Sequence, residues 1–174
     1  MPRRSLAAGR GDSMALGPEE RARLAAAQAE LVAALVAQGP PPPGFDAERL
    51  RVAAGALAQK RQRELAQAWP RLVQGLGASW PSSFATFAAA VPLPREGGPL
   101  ADGRAFAAWL EKKESLPEGG RLEALATDLR YRRCADGLLP RRGPAVRVAW
   151  LGRSKKLVLA LRWPGLGERW LRLF

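Results

Sequence analysis

The sequence contains no histidine, only one cysteine (Cys134) and no long apolar run. Without histidine, the chain cannot form a histidine-based catalytic triad, a histidine metal site or an imidazole general base. A single cysteine excludes an internal disulfide and a zinc cluster built on thiolates. No apolar stretch approaches the ~20 residues of a membrane-spanning helix. These absences favour a binding protein, and they predict no metal and no cofactor in this chain.

Recognisable catalytic motifs are missing as well. The chain has no glycine signature of a P-loop or of a Rossmann fold. Ser82 and Ser83 have no neighbouring base, and Cys134 has neither a base nor a second thiol to work with. Asp102 is better explained as a helix cap than as a catalyst. We therefore expect no catalytic residues and no enzymatic activity of the chain itself.

The charge of the chain is strongly positive and unevenly distributed. The 174 residues include 28 Lys and Arg against 16 Asp and Glu, a formal net charge of +12. Residues 18–129 are balanced, with thirteen basic and thirteen acidic side chains. Residues 130–174 carry twelve basic side chains against Asp136 and Glu168 only, a net charge of +10. Almost all of the excess positive charge therefore lies in the last quarter of the chain.

Apolar residues recur at helical spacing between residues 18 and 130. Pro18 followed by two glutamates is typical of a helix start, and Asp46 is suited to cap a second helix that runs to about Ala68. The predicted helical segments begin at Pro18, Asp46, Arg71, Ser79, Asp102 and Glu118, and the last one ends at about Arg130. Six segments with short connectors are enough for one small core.

Beyond Arg142-Gly143-Pro144 the pattern changes to a period of two. Larger apolar residues occupy alternate positions along 146–150 and again along 157–163, and turn residues at 152–155 and 164–167 separate the segments. The pattern predicts three antiparallel strands in meander order. A sheet this small needs a further surface to cover one face, and the helical bundle can supply part of that cover.

The predicted fold class is α+β, a mainly helical bundle followed by a small antiparallel sheet. Its parts are a flexible tail at 1–17, a helical bundle domain at 18–130 and a basic β-meander module at 131–174. The tail lacks the apolar core of a secretory signal. Together with the one unpaired cysteine, this predicts a cytoplasmic location without a membrane.

The short sheet leaves open edges, and an open edge can accept an extended peptide as an added strand. Basic side chains near such an edge favour an acidic peptide. The residues predicted to bind a peptide are Arg147, Arg162, Trp150 and Trp163. An equally open interpretation is that the basic side chains only protect the edge from aggregation.

Arg61 falls in the middle of an apolar stripe on the second helix, between Leu57 and Leu65. In one interpretation its stem lies along the apolar surface while the guanidinium reaches water or an acid. In the other, the arginine is held at a groove to bind a carboxylate or a backbone carbonyl of a partner. Both interpretations remain open at the level of sequence.

Several short motifs occur in one order along the helical part. They are the run Lys60 to Pro70 with Trp69-Pro70 at its end, then Leu76-Gly77, Trp80 and Phe84, then Leu100-Ala101-Asp102-Gly103 with Phe106 and Leu110. In order and spacing these motifs resemble a bacterial family of helical domains labelled as DNA-binding. The segments 142–148 and 164–169 resemble the small β module that is attached to this family in actinobacterial relatives.

Despite the label, this resemblance implies a partner subunit of a multinuclear non-haem iron oxidative enzyme. Enzymes of this type modify cysteines in ribosomally made peptides such as methanobactin and the bufferins. In such systems an iron-dependent TIM-barrel enzyme holds the metal, and the partner binds the enzyme and helps to present the precursor peptide. For this chain, the candidate contacts to the enzyme are Arg61, Trp69, Pro70 and Asp102.

The alternative hypothesis is a DNA-binding protein, such as a transcriptional regulator. The net charge of +10 over residues 130–174 supports it. Against it, these basic residues lie on predicted strands and loops, and no helix-turn-helix pattern is evident. The leading hypothesis is therefore a non-catalytic accessory partner that recognises the leader peptide of a precursor.

Overall fold

The computed structural model describes residues 17–36, 40, 42–151 and 156–173. The predicted tail at 1–17 lies outside this range except for Gly17, and the predicted turn at 152–155 also lies outside it. Within the described residues, helices come first and strands follow, which confirms the predicted α+β class. No helix in this part of the chain is both long and apolar enough to cross a bilayer.

Six α-helices precede the strands in the described part of the chain. They are α1 Pro18–Val36, α2 Ala47–Ala68, α3 Pro70–Leu76, α4 Trp80–Ala90, α5 Gly98–Lys112 and α6 Glu118–Arg130. Asp46 caps α2 as predicted, because its carboxylate accepts from two N–H groups of the first turn. The start of α3 is capped from a distance: Glu123 of α6 accepts from the N–H groups of Arg71 and Leu72 at 2.9 and 2.8 Å.

Helix α5 begins four residues earlier than predicted. Its first residue is Gly98 rather than Asp102, and Pro99 occupies the first turn, where a missing N–H costs little. Asp102 therefore lies inside the helix and is not its cap. The cap prediction failed because an acidic residue before an apolar stretch has the same sequence pattern whether it caps a helix or forms a buried ion pair.

Asp102 forms that buried pair with Arg61 of α2. The Nε and Nη2 atoms of Arg61 donate to the two carboxylate oxygens at 2.9 and 2.7 Å, and the two side chains are only 10% and 1% exposed. Nη2 also donates to the carbonyl of Val91 at 3.0 Å, and the guanidinium lies over the rings of Phe84 and Phe87. One arginine thus joins α2, α4 and α5, and of its two interpretations the one that reaches an acid is correct.

Trp69 packs into the same junction. Its side chain is fully buried, and its Nε1 donates to the carbonyl of Leu100 at 3.2 Å. A Cβ atom at Gly103 would lie 2.1 Å from the indole ring, so only glycine permits this close contact between α5 and the tryptophan. Because Arg61, Trp69 and Asp102 are inside the bundle, their side chains are not available for the enzyme contact predicted for them.

Among the described residues, buried side chains form two separate cores. The first lies in the bundle and includes Leu65, Trp69, Leu72, Trp80, Phe84, Phe87, Phe106 and Leu110. The second lies between α6 and the sheet and comprises Leu125, Leu129, Ala145, Leu151, Val158 and Ala160. Helix α6 contributes Ala124 to the first core and two leucines to the second. This helix therefore connects the bundle to the sheet.

In the described residues after α6 the chain forms five strands. They are β1 Tyr131–Cys134, β2 Gly137–Pro140, β3 Ala145–Leu151, β4 Lys156–Trp163 and β5 Gly167–Leu173. Strands β3, β4 and β5 form the predicted antiparallel meander in the order β3-β4-β5. Its register pairs Val148 with Leu159, and Leu159 with Leu171.

The first two strands form a separate hairpin that the sequence analysis missed. Its turn is attached to the loop before α5, because Glu96 accepts from the N–H of Leu138 and donates its own N–H to the carbonyl of Asp136. Gly137 has a positive φ of 141°, and a Cβ there would lie 1.9 Å from the carbonyl oxygen of Glu96. Glycine is therefore required at this turn.

A partly exposed ion pair joins the end of α6 to the start of β5. Nε and Nη2 of Arg130 donate to the carboxylate of Glu168 at 2.5 and 3.0 Å. These hydrogen bonds lower the pKa of Glu168 against the opposing effect of its burial, and the charges of Arg130 and Arg162 lower it further. The pair therefore stabilises the folded chain only while Glu168 is ionised.

The substitution Asp102→Asn should lower the free energy of unfolding by about 3–5 kcal/mol, because it leaves the buried guanidinium of Arg61 without its counter-charge. Urea unfolding followed by circular dichroism measures the loss. Arg63→Gln, on an exposed position of α2, is the control and should change stability by no more than about 0.5 kcal/mol. Equal stability of the two variants would contradict the role given to the ion pair.

Acid should weaken the Arg130–Glu168 pair in a defined direction. Since the folded pKa of Glu168 is lowered, its contribution is complete above the ordinary glutamate pKa of about 4.3 and is lost as the pH falls through the lowered value. The difference in unfolding free energy between the parent chain and Glu168→Gln should therefore shrink between neutral pH and pH ~3. A difference that stays constant over this range would contradict the prediction.

Candidate partner-binding surfaces

The three-stranded sheet has two very different faces. Side chains alternate along each strand, so residues paired in register share a face. The face turned away from α6, here called the outer sheet face, consists of Val146, Val148, Trp150, Leu157, Leu159, Leu161, Trp163 and Leu171. Arg169 lies beside Leu161 on the same face. No carboxylate belongs to this face in the described residues.

The inner face is covered by α6, and the side chains that β4 buries there are small. On β4, Val158 and Ala160 are buried in the second core together with Leu125 and Leu129 of α6. The leucines of β4 occupy the alternate positions and therefore lie on the outer sheet face. The larger apolar side chains of the strand are thus on the side that no described element covers.

The exposed fractions show how open the outer sheet face is. Val148 and Trp150 are both 57% exposed, Trp163 is 60% exposed and Leu171 is 49% exposed. Single exposed apolar side chains are normal on soluble proteins, whereas a contiguous apolar patch marks a site of interaction. The outer sheet face therefore has the character of a binding surface.

The predicted peptide-binding residues divide between the two faces. Trp150 and Trp163 lie on the outer sheet face, but Arg147 and Arg162 lie on the inner one, because they are one residue out of phase with the tryptophans. Nη1 of Arg162 donates to the carbonyl of Arg141 at 3.0 Å, and Nη1 of Arg147 donates to the carbonyl of Val146 at 2.8 Å. The four residues do not form one site.

The leucines of β4 on the outer sheet face were not predicted to be surface residues. The run Leu157-Val158-Leu159-Ala160-Leu161 is apolar at every position, which is typical of a strand that is buried on both faces. The signal that was available is the size alternation, with leucines in one phase and small residues in the other. It separates a face of leucines from the face of small side chains that packs against α6.

A second exposed apolar region is the helical arm, defined as α1 together with residues 47–60 of α2. Helix α1 packs chiefly against α2, and Ala34 and Ala54 are the buried side chains of the arm. Val32 and Val52 are 57% and 64% exposed, and Leu24 is 48% exposed. Pro70 is also exposed, at the start of α3.

A further ion pair joins α5 to α6, the helix that connects the bundle to the sheet. Arg104 of α5 donates from Nε and Nη2 to the carboxylate of Asp128 on α6, both at 2.9 Å. Burial alone would lower the pKa of Arg104, but the hydrogen bond and the charge of Asp128 outweigh it and raise the pKa.

Among the described residues, no group of three or more His, Cys, Asp and Glu side chains is placed to hold a metal ion.

Comparison with known proteins places the chain in a family. No solved structure matches it. A UPF0276 protein of Streptomyces avermitilis is 39% identical over 146 residues, which are 82% of this chain and 28% of that protein. The chain thus spans less than a third of the length of this curated relative, whose name states no activity.

The family model described as SCO6045-like, C-terminal domain matches residues 25–112, which include the motifs from Lys60 to Leu110. This match covers half of the chain. The chain therefore belongs to the SCO6045-like C-terminal domain family.

Proposed function

We propose that the chain is a non-catalytic accessory partner of an iron-dependent TIM-barrel enzyme that modifies ribosomally made peptides in the cytoplasm. It would bind both the enzyme and the precursor peptide, and the iron would belong to the enzyme. The observation that carries the proposal is the outer sheet face, a contiguous apolar surface that no described element covers. The resemblance of the motifs between Lys60 and Leu110 supplies the identity of the two partners.

The length of the relative supports a role alongside a larger protein. In Streptomyces avermitilis the counterpart of this chain makes up 28% of a UPF0276 protein. Linking two segments in one chain raises their effective concentration for each other, which favours segments that act together. In this proposal, the unmatched part of the relative is the counterpart of the enzyme.

The outer sheet face is the proposed site for the precursor peptide. Its two tryptophans provide large apolar contacts, and Trp is enriched among the residues that dominate binding energy. Residues 130–174 carry a net charge of +10, so the surroundings of this face favour an acidic peptide with apolar side chains over a basic one. The same charge disfavours a second copy of this chain as the occupant.

The helical arm is the proposed site for the enzyme. Its exposed apolar side chains include Leu24, Val32 and Val52, and α1 packs chiefly against α2. An amphipathic helix pair with an uncovered apolar side is a common means of docking on a larger protein. This assignment keeps the two partners on separate surfaces, so that both can be bound at once.

Replacing Trp150 and Trp163 together by serine should weaken binding of the precursor leader peptide by at least about 30-fold, because buried tryptophans at interfaces commonly contribute 2 kcal/mol or more. Isothermal titration calorimetry with the leader peptide encoded beside the enzyme measures the change. Leu166→Ser is the matched control, since Leu166 is 73% exposed in the β4–β5 turn and not on the outer sheet face.

The salt dependence of binding distinguishes this proposal from the DNA-binding alternative. Binding of the acidic leader peptide should weaken only moderately between ~50 and ~200 mM salt, because the apolar contacts of the outer sheet face are not screened, whereas duplex DNA held by released counterions should be lost over that range. Leader binding that survives in the double tryptophan variant would contradict the proposed site. Tight, sequence-selective binding of a duplex at ~150 mM salt would favour a DNA-binding protein instead.

The enzyme-binding role is testable with the relative itself. The Streptomyces avermitilis UPF0276 protein without its matched region, immobilised by a tag, should retain this chain from solution. The double substitution Val32→Ser and Val52→Ser should reduce retention about tenfold, because it removes two apolar contacts from the helical arm. Since both positions are exposed, the helices should stay folded.

The double tryptophan variant is the control for this experiment, because it leaves the helical arm intact and should be retained like the parent chain. Failure of the parent chain to be retained would contradict the partner role. Loss of retention in the tryptophan variant alone would instead place the enzyme on the outer sheet face.

A further inference from the structure

A second candidate site lies next to the sheet. A pocket of about 520 Å³ is formed by the β1–β2 hairpin and the segment that leads to β3. Its lining consists of Arg132, Arg141 and Arg142 together with Leu139, Pro140 and Gly143. We call it the arginine pocket after its three arginines. No acidic side chain contributes to this lining.

The positive charge of the arginine pocket is not compensated by the described part of the chain. None of the three arginines forms an ion pair with a described residue, and Arg132 and Arg142 are exposed. Nε of Arg141 is buried and has no hydrogen-bond partner among the described residues. A buried donor without an acceptor is unfavourable, and an anionic ligand would supply the acceptor.

The pocket is held in shape by hydrogen bonds from three directions. The N–H of Arg141 donates to the carbonyl of Arg130 at 2.8 Å, at the end of α6. Nη1 of Arg162 donates to the carbonyls of Arg141 and Gly143 at 3.0 and 3.5 Å. Pairing of Arg132 with Leu139 fixes the opposite wall. The arginines therefore project from a backbone that is already ordered, which reduces the entropic cost of binding.

The lining indicates a carboxylate rather than a phosphate ligand. Guanidinium groups bind both anions, but phosphate sites commonly add backbone N–H groups from a helix N-terminus or a nest. The lining residues other than the arginines are Leu139, Pro140 and Gly143; no helix N-terminus contributes to the lining, and proline has no N–H to offer. An apolar wall suits the methylene groups of glutamate side chains and the backbone of a peptide.

We infer that the arginine pocket binds neighbouring carboxylates of an acidic peptide segment. The pocket is formed in part by the segment that leads directly into β3, an edge strand of the three-stranded sheet. The inference rests on the proposed function only for the origin of that peptide, which would be the precursor.

Fluorescence anisotropy with a labelled peptide of four consecutive glutamates tests the inference directly. The parent chain should bind this probe more tightly than the peptide with four glutamines. Arg132→Gln and Arg142→Gln should each weaken binding about 5- to 10-fold, because each removes a charge-assisted hydrogen-bond donor. Arg63→Gln removes the same charge from an exposed position of α2 and should change binding less than about twofold.

Three outcomes would overturn the inference. Equal losses in all three variants would show a response to net charge without a site. No loss in the two pocket variants would place the anion elsewhere, and stronger competition by inorganic tripolyphosphate than by free tetraglutamate would identify a phosphate site. The experiment contains neither enzyme nor precursor, so its failure and a failed enzyme-retention experiment are independent results.

Discussion

The junction between α2 and α5 is the constraint on which the rest of the structure depends. Arg61 and Asp102 are a buried ion pair at 2.7 and 2.9 Å, and a charge buried without its partner would be strongly unfavourable. Because the guanidinium also binds the end of α4, the pair sets the positions of three helices at once. Trp69 is then enclosed against Gly103, where no other residue leaves enough room. The motifs that suggested a family are thus the residues that assemble the bundle.

Helix α6 transmits this arrangement to the sheet. It is attached to the bundle through Arg104–Asp128 and through the cap that Glu123 provides for α3, and its leucines form the second core with the inner face of the sheet. One helix can cover only one face of a three-stranded sheet, so the outer sheet face stays open. The open apolar surface is therefore a direct result of how the two cores share a single helix.

The positive charge of the last quarter of the chain has two different uses in the structure. Arg130 and Arg162 are bound internally, to Glu168 and to backbone carbonyls, and they hold β5 and the segment before β3 in place. Arg132 and Arg142 have no such partner in the described residues and remain available to an anion. Net charge alone therefore overstates how basic the binding surface is. The internal hydrogen bonds of Arg130 and Arg162 also support the proposal of an acidic peptide over a duplex, because a duplex requires an extended basic face.

Sequence alone determined the parts of this protein that depend on local pattern. Periodicity, caps and turn residues predicted the helices, the meander and the change of structure near residue 130, because these features depend on neighbours along the chain. Tertiary structure alone decided which polar residues are internal. Arg61 and Asp102 are 41 positions apart, and a pair this distant has the same local pattern whether it meets in the core or faces a partner. The same reason applies to Arg162 and to the outer leucines: strand alternation separates two faces, but only the packing of α6 decides which one is covered.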